Sequence, residues 1–164
     1  MSSKRLGGQV FESAEAVRDY VAPLRAQGRT LVTTNGCFDV IHRGHIECLR
    51  ECKALGDLLV VGINGDASVQ RLKGPGRPLQ GEQDRALIVA SLRMVDAAFI
   101  FHEDDPRRFI EILRPDIHAK GGDYSRAMIE TPVVERCGGK VVIVPLVQGV
   151  STSSIVANAV ERGT

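Results

Sequence analysis

The sequence predicts one doubly wound α/β domain on a five-stranded parallel sheet, and three observations carry that reading. Five strand-like segments alternate with helix-like ones across 164 residues. One of them, "LLVVGI" at 58–63, is apolar throughout, as suits a central parallel strand covered on both faces. Each unusual polar stretch follows a predicted strand: "NGCFDVIHRGH", "NGDASVQRLKGPGR", "KGGDY" and "QGVSTSS". Folds of this class bind ligands at the carboxyl ends of their strands.

Taken in order, residues 1–10 are expected to be a flexible N-terminal extension of a single domain spanning 1–164. "SAEAVRDYVAPLRAQG" has the spacing of an amphipathic helix, with Pro23 placing its second half in question. "TLVTTN" is a short buried strand. Ile46, Leu49 and Cys52 recur at helical spacing, so a helix runs from about Arg43 to Gly56. After "LLVVGI", residues 67–71 have helical character and "KGPGRP" is a loop. A helix over 82–93 is expected to bury Leu87, Ile88 and Leu92. "AAFIF" is the third strand, and "DPRRFIEILRP" is a helix with Asp105 as N-cap and Pro106 at its first position. "DIHAKG" is the fourth strand, followed by a helix over 128–136. "KVVIVPL" is the fifth, and a last helix begins near Thr152.

Apolar residues make up 43%, enough for a packed core. The net charge of +1 argues against broad binding to nucleic acid, so attraction for anions must be local. The basic N-terminal stretch has no apolar run behind it, and no segment has the length to span a bilayer. Cys37, Cys48, Cys52 and Cys137 form neither a CxxC pair nor a disulfide framework. These signs predict a cytoplasmic protein with no membrane and no nucleic-acid partner.

His42 and His45 bracket Arg43-Gly44. Two histidines fall short of the three or more ligands of a zinc site, and there is no HExxH, so no protein-held metal is expected. A packed pair on a helix is the plain alternative, but Gly44 in the opening turn weakens it. Glycine there lets a ligand approach the main chain. Gly36 at a strand end, followed by a helix N-terminus, directs backbone N–H groups at the same space. Two imidazoles aimed there offer donors to phosphate oxygens, and a shift toward the charged form would strengthen them.

Lys73 and Arg77 lie on the Gly/Pro-rich segment, which is either a solvated basic loop or a clamp for a polyphosphate. Arg85 follows on a helix, as part of that clamp or as an ion-pair partner of Glu82. Ser151, Thr152, Ser153 and Ser154 stand where a helix begins. One hydroxyl caps it, and the surplus can donate to a phosphate favoured by the helix dipole. In "KGGDY" the glycines permit contact with a flat base, while Asp123 either accepts from an exocyclic amine or caps the following helix. No Walker A loop, no GxGxxG and no activated nucleophile is present. Together the stretches describe a nucleoside triphosphate across the strand ends and direct attack by a substrate oxygen on phosphorus.

"HRGH" resembles the HxGH motif of the nucleotidyltransferase superfamily, and "STSSI" resembles its hydroxyl-rich C-terminal signature. "TNGCFDVIHRGHIECL", "ALGDLLVVGINGDASVQRLKGPGRPL", "DRALIVASLRMVDAAFIFHEDDP" and "LRPDIHAKGGDY" are similar to the D-glycero-β-D-manno-heptose 1-phosphate adenylyltransferase branch. The resemblance covers nearly the whole chain from about Phe11. It implies a Rossmann-like α/β/α fold, a homodimer, ATP with Mg²⁺ as substrate, and release of pyrophosphate on forming ADP-heptose for lipopolysaccharide core. With no kinase-sized region in the sequence, the stand-alone form is expected.

By the same resemblance, His42 and His45 stabilise the transition state at the α-phosphate, with Lys73 and Arg85 at the phosphates. Asn35, Gly36, Cys37, Phe38 and Gly44 belong to the first phosphate loop. Lys120, Gly121, Gly122 and Asp123 lie at the base, and Ser151 to Ser154 at the β- and γ-phosphates. Lys120 also shares with Arg77 an assignment to the acceptor phosphate. Asp39 either organises the first loop or joins Asp66 and Arg77 in holding the acceptor. Gly65 departs from the branch, where Ser or Thr is frequent. Cytidylyl transfer to glycerol 3-phosphate or adenylyl transfer to FMN are the neighbouring alternatives.

Overall fold

The computed structural model describes residues 8–122 and 128–163. Thirteen elements alternate along them: β1 (Gln9–Phe11), α1 (Ala14–Arg25), β2 (Leu31–Gly36), α2 (Arg43–Ala54), β3 (Leu58–Asn64), α3 (Asp66–Lys73), α4 (Glu82–Ala90), β4 (Ala97–Phe101), α5 (Arg107–Leu113), β5 (Ile117–Gly121), α6 (Thr131–Arg136), β6 (Lys140–Val144) and α7 (Thr152–Arg162). The sheet is parallel throughout, in the order β1-β4-β3-β2-β5-β6. From β2 the chain steps outward through β3 to β4, then returns to the other side of β2 with β5 and β6. Strand order therefore reverses between β2 and β5. At their carboxyl ends the flanking connections part and leave a crevice.

The period-2 alternation of the strands sorts side chains into two cores. Leu31, Leu58, Val60 and Phe99 meet Val17 and Val21 of α1, Phe109, Ile110 and Leu113 of α5, and Val134 of α6. On the other face Val32, Leu59, Val61 and Ile63 meet Leu49 and Cys52 of α2 and Ala86 and Val89 of α4. All seven residues of β3 are buried, as expected for a strand covered on both sides.

The sheet has six strands, where the sequence predicted five. β1 was missed because three residues behind a glycine pair carry no readable alternation. It places Gln9–Phe11 beside β4, so residues 9 and 10 belong to the sheet and not to a flexible extension. α1 continues through Pro23. α5 starts one residue later than expected: Pro106 occupies the N-cap position, and the Asp105 carboxylate accepts from Arg107 N–H at 3.0 Å. α6 begins at Thr131, and α4 ends at Ala90.

The larger correction concerns the face of α4. Leu87 is 61% exposed and Ile88 36%, while Arg85, Ala86, Val89 and Ala90 are buried. Replacing Val89 by Ala should cost about 2 kcal/mol, and Leu87 by Ala within about 0.5 kcal/mol. Urea unfolding of both variants checks this; the reverse order would contradict the observed helix face.

Candidate active site

β2 ends at Asn35 and Gly36, and the chain turns through Cys37 and Phe38 before α2. Phe38 takes φ 47°, which lays its ring back over the strand end. A Cβ on Gly36 would lie 2.9 Å from that ring, so only glycine fits beneath it. The Phe38 ring lies 5.2 Å from His45, and His45 stacks on His42 with centroids 3.9 Å apart. His42 is the N-cap of α2, its Nδ1 accepting from Gly44 N–H at 3.1 Å. A Cβ on Gly44 would meet the His42 ring at 2.9 Å. The spacing H-x-G-H thus has a local cause: the first imidazole folds back on the helix start, glycine makes room for it, and the second covers it one turn on.

With Nδ1 of His42 accepting, its donor is Nε2–H. Burial lowers the pKa of His42. Burial and the neighbouring His42 lower that of His45 to about 4. The sequence reading allowed a shift toward the charged form, whereas the structure holds both rings neutral at pH 7 in the absence of an anion.

A cleft of about 540 Å³ opens in front of the pair. Of the predicted site residues, Asn35, Gly36, Cys37, Phe38, Asp39, His42, Gly44, His45, Lys73, Arg77, Lys120, Gly121, Ser151, Thr152 and Ser153 line it. They come from the ends of β2 and β5, the start of α2, the end of α3 with its following loop, and the start of α7. Asn35 contributes a buried Oδ1 with no hydrogen-bond partner among the described residues. Gly121 packs so closely that a Cβ would lie 2.8 Å from Leu146. Leu146, Val147 and Val150 complete an apolar wall beside Cys48, and the sequence reading did not single out these three. Its only signal was position, between the end of "KVVIV" and the start of "STSS".

Four predicted contacts have other work or another place. Arg85 is fully buried beneath the cleft. It donates from Nε to Gln80 O at 2.9 Å, from Nη1 to Cys37 O, and from Nη2 to Asp66 Oδ1 at 2.7 Å. It braces the first loop and does not line the cavity. Asp66, spent on Arg85, also stands outside the lining. Gly122 and Ser154 are not among the lining residues, and Asp123 falls outside the described residues.

Arg77 and Asp39 pair with each other. Arg77 Nε donates to Asp39 Oδ2 at 2.6 Å, and Leu79 and Gln80 N–H donate to Asp39 Oδ1 at 2.8 and 3.0 Å. Burial alone would raise the Asp39 carboxyl, but the two N–H donors and the guanidinium outweigh it and hold its pKa below the ordinary value. The Gly/Pro loop, which turns at Gly74 (φ 96°) and Gly76 (φ 83°), is thereby clasped to the first loop. That clasp leaves the exposed Lys73 ammonium at the cleft wall without an intramolecular partner among the described residues.

At α7 two of the four hydroxyls serve the helix. Ser151 Oγ accepts from Ser154 N–H at 3.1 Å and Ser154 Oγ from Ser151 N–H at 3.2 Å, a reciprocal capping box. Thr152 Oγ1 donates to Val40 O at 3.2 Å, tying α7 to the loop after β2. Ser153 is left facing the cleft with no hydrogen-bond partner among the described residues.

Residues 33–158 match the cytidylyltransferase-like family. Bifunctional protein HldE of Syntrophotalea carbinolica is 48% identical over 149 residues, 90% of this chain and 30% of that protein. Its counterpart in Magnetococcus marinus is 51% identical over 140 residues, 85% of this chain and 29% of that protein. The chain thus spans about 30% of the length of the curated relatives it matches. Among solved structures, the lipopolysaccharide core biosynthesis protein from Thermoplasma volcanium is 32% identical with TM-score 0.62, over 73% of this chain and 98% of that one. Pantoate-beta-alanine ligase from Francisella tularensis, 13% identical with TM-score 0.58, covers 94% of this chain and 78% of that one and shares the fold alone.

Two predictions follow from the site geometry. Arg85→Ala should lower stability by about 3 kcal/mol, because two carbonyls and the Asp66 carboxylate lose their donor. Chemical denaturation measures it, and a loss under about 1 kcal/mol would show that Arg85 braces nothing. His45, shifted from 6.5 to about 4, contributes stability in full above pH 6.5. That contribution is lost as pH falls toward 4, because the unfolded chain takes up the proton first. Proton NMR titration should place its midpoint near 4; a midpoint at 6 or above would contradict the buried, stacked geometry.

Proposed function

The chain belongs to the cytidylyltransferase-like family of nucleotidyltransferases, and from that premise we propose that it transfers AMP from ATP to D-glycero-β-D-manno-heptose 1-phosphate. The observation that carries this reading is the convergence of the stacked histidines, Lys73 and the α7 start on one cleft at the strand-order reversal. Support for the acceptor comes from the ordered motifs and from relatives named HldE and a lipopolysaccharide core biosynthesis protein.

In this reading the α-phosphate lies against His42 and His45, and the β- and γ-phosphates reach toward Lys73, Ser153 and the N–H groups opening α7. An oxygen of the heptose phosphate attacks the α-phosphorus in line. One P–O bond forms, the bond to the bridging oxygen breaks, and pyrophosphate leaves with that electron pair. Neutral imidazoles suit this task. Each donates to equatorial oxygens whose negative charge grows in the transition state, and their own tendency to protonate rises with that charge. Neither needs to act as a base, because the attacking phosphate oxygen is already ionised.

Asp39 and Arg77 then shape the floor as a neutral pair, and Arg85 fixes the loop that carries Gly36 to Asp39. Among the described residues no cluster of three His, Cys, Asp or Glu could cage a metal ion, and Asp39 is already committed. Mg²⁺ carried by the triphosphate would supply further charge compensation there, beside Lys73 and Ser153. The reading includes a homodimer, for which Leu87 and Ile88 on α4 offer an exposed apolar surface, and a cytoplasmic location. Among the described residues no helix is long and apolar enough to cross a membrane.

A panel of ATP and CTP with heptose 1-phosphate, glycerol 3-phosphate and FMN, with product identification, tests the assignment. ADP-heptose and pyrophosphate are expected, and a strong preference for CTP would reject it. His42→Ala and His45→Ala should each lower kcat about 10²–10³-fold with a much smaller change in KM. A raised KM with kcat unchanged would instead place the histidines in ground-state binding.

A further inference from the structure

We propose that Glu130 is a positioning residue for the nucleotide, its buried carboxylate holding the Lys120 ammonium at the wall of the cleft. The proposal rests on the reading that this cleft takes a nucleoside triphosphate. Lys120 is the penultimate residue of β5 and lines the cleft. Its Nζ lies 2.8 Å from Glu130 Oε1, with the Lys120 side chain 31% exposed and that of Glu130 only 4%.

Three features separate this pair from an ordinary ion pair. Glu130 occupies the N-cap position of α6, yet its side chain makes no capping bond, so helix formation does not account for the carboxylate. The next residue inward on the same face of β5, His118, is fully buried, with Nδ1 2.9 Å from Thr33 Oγ1 and Nε2 without a hydrogen-bond partner among the described residues. Burial holds that imidazole neutral, so Lys120 is the cation that β5 presents to Glu130. Finally, a carboxylate this deep gains little net stability from its partner, since desolvation offsets the attraction. Its effect is to fix where the ammonium sits.

Fixing it matters because a lysine side chain is four flexible carbons carrying a point charge. An ammonium has three donors. Held beside Glu130 by charge, it keeps donors for phosphate oxygens, and the ordering of the stem is completed before the nucleotide arrives. Binding then loses less conformational entropy than a free lysine would cost.

Affinity for Mg²⁺–ATP, measured by titration calorimetry on wild type, Glu130→Gln, Lys120→Met and Lys120→Met/Glu130→Met, tests the assignment. Glu130→Gln should weaken ATP about tenfold, the scale of one charge-assisted hydrogen bond, while changing kcat less than about twofold. Once Lys120 is Met, changing Glu130 as well should bring no further loss. The double variant removes the pair whole and leaves no unpaired buried charge, so it stays informative if Glu130→Gln folds poorly. Wild-type affinity in Glu130→Gln, or a double variant weaker than Lys120→Met, would overturn the proposal. The binding measurement needs no acceptor, so a wrong heptose assignment shows only in turnover. Wild-type protein that binds no nucleotide would overturn both.

Discussion

Arg85 lies at zero exposure between β2, α3 and the loop before α4, and the site is assembled around it. A guanidinium cannot shed its charge, so burial is tolerable only when its donors are satisfied. The donors reach Gln80 O, Cys37 O and Asp66. Those three groups are the near end of the Gly/Pro loop, the turn after β2 and the start of α3. Satisfying one buried cation therefore fixes the relative positions of the three segments that bring Phe38, Asp39 and Lys73 to the cleft. Asp39 repeats the arrangement with opposite sign, collecting Arg77 and two backbone N–H groups. The two clasps leave a rigid floor, and around it the stacked imidazoles, Asn35, Lys73, Lys120 and Ser153 are among the groups open to a ligand.

That division of labour explains what the sequence did and did not make legible. The central strands could be read because runs such as "LLVVGI" admit few other fates, and the polar stretches behind them marked the binding edge. β1 escaped because a three-residue edge strand has too little pattern to see. The face of α4 was misread because periodicity favours bulk: Leu87 and Ile88 looked like core, and the position facing inward belongs to an arginine. Charged residues near a predicted site look alike in sequence whether they touch a ligand or each other. Arg77, Asp39, Asp66 and Arg85 were all read as contacts, and in the folded chain they neutralise one another. The partner of Lys120 was invisible for the same reason: Glu130 lies ten residues on, across a segment that sequence reading treated as base pocket and helix.

The histidine motif was legible in its residue types and not in its electrostatics. Stacking His45 on His42 over Phe38 half-buries both rings and disfavours protonation. The pair is thus a neutral donor surface that becomes more cationic as negative charge approaches it. Ser151 to Ser154 show a similar economy, two hydroxyls closing the helix start, one tying it to Val40 and one left at the cleft. Both motifs combine a local folding role with a ligand-facing one.

The account stands on a single triphosphate occupying the space these groups enclose. A crystal structure with an ATP analogue whose α,β-bridge is a methylene tests it most directly. The α-phosphate should lie within hydrogen-bond distance of both His42 and His45, with the terminal phosphates at the N–H groups opening α7. A nucleotide bound elsewhere, for instance beside His102 at the end of β4, with the histidines still stacked and uncontacted, would contradict it.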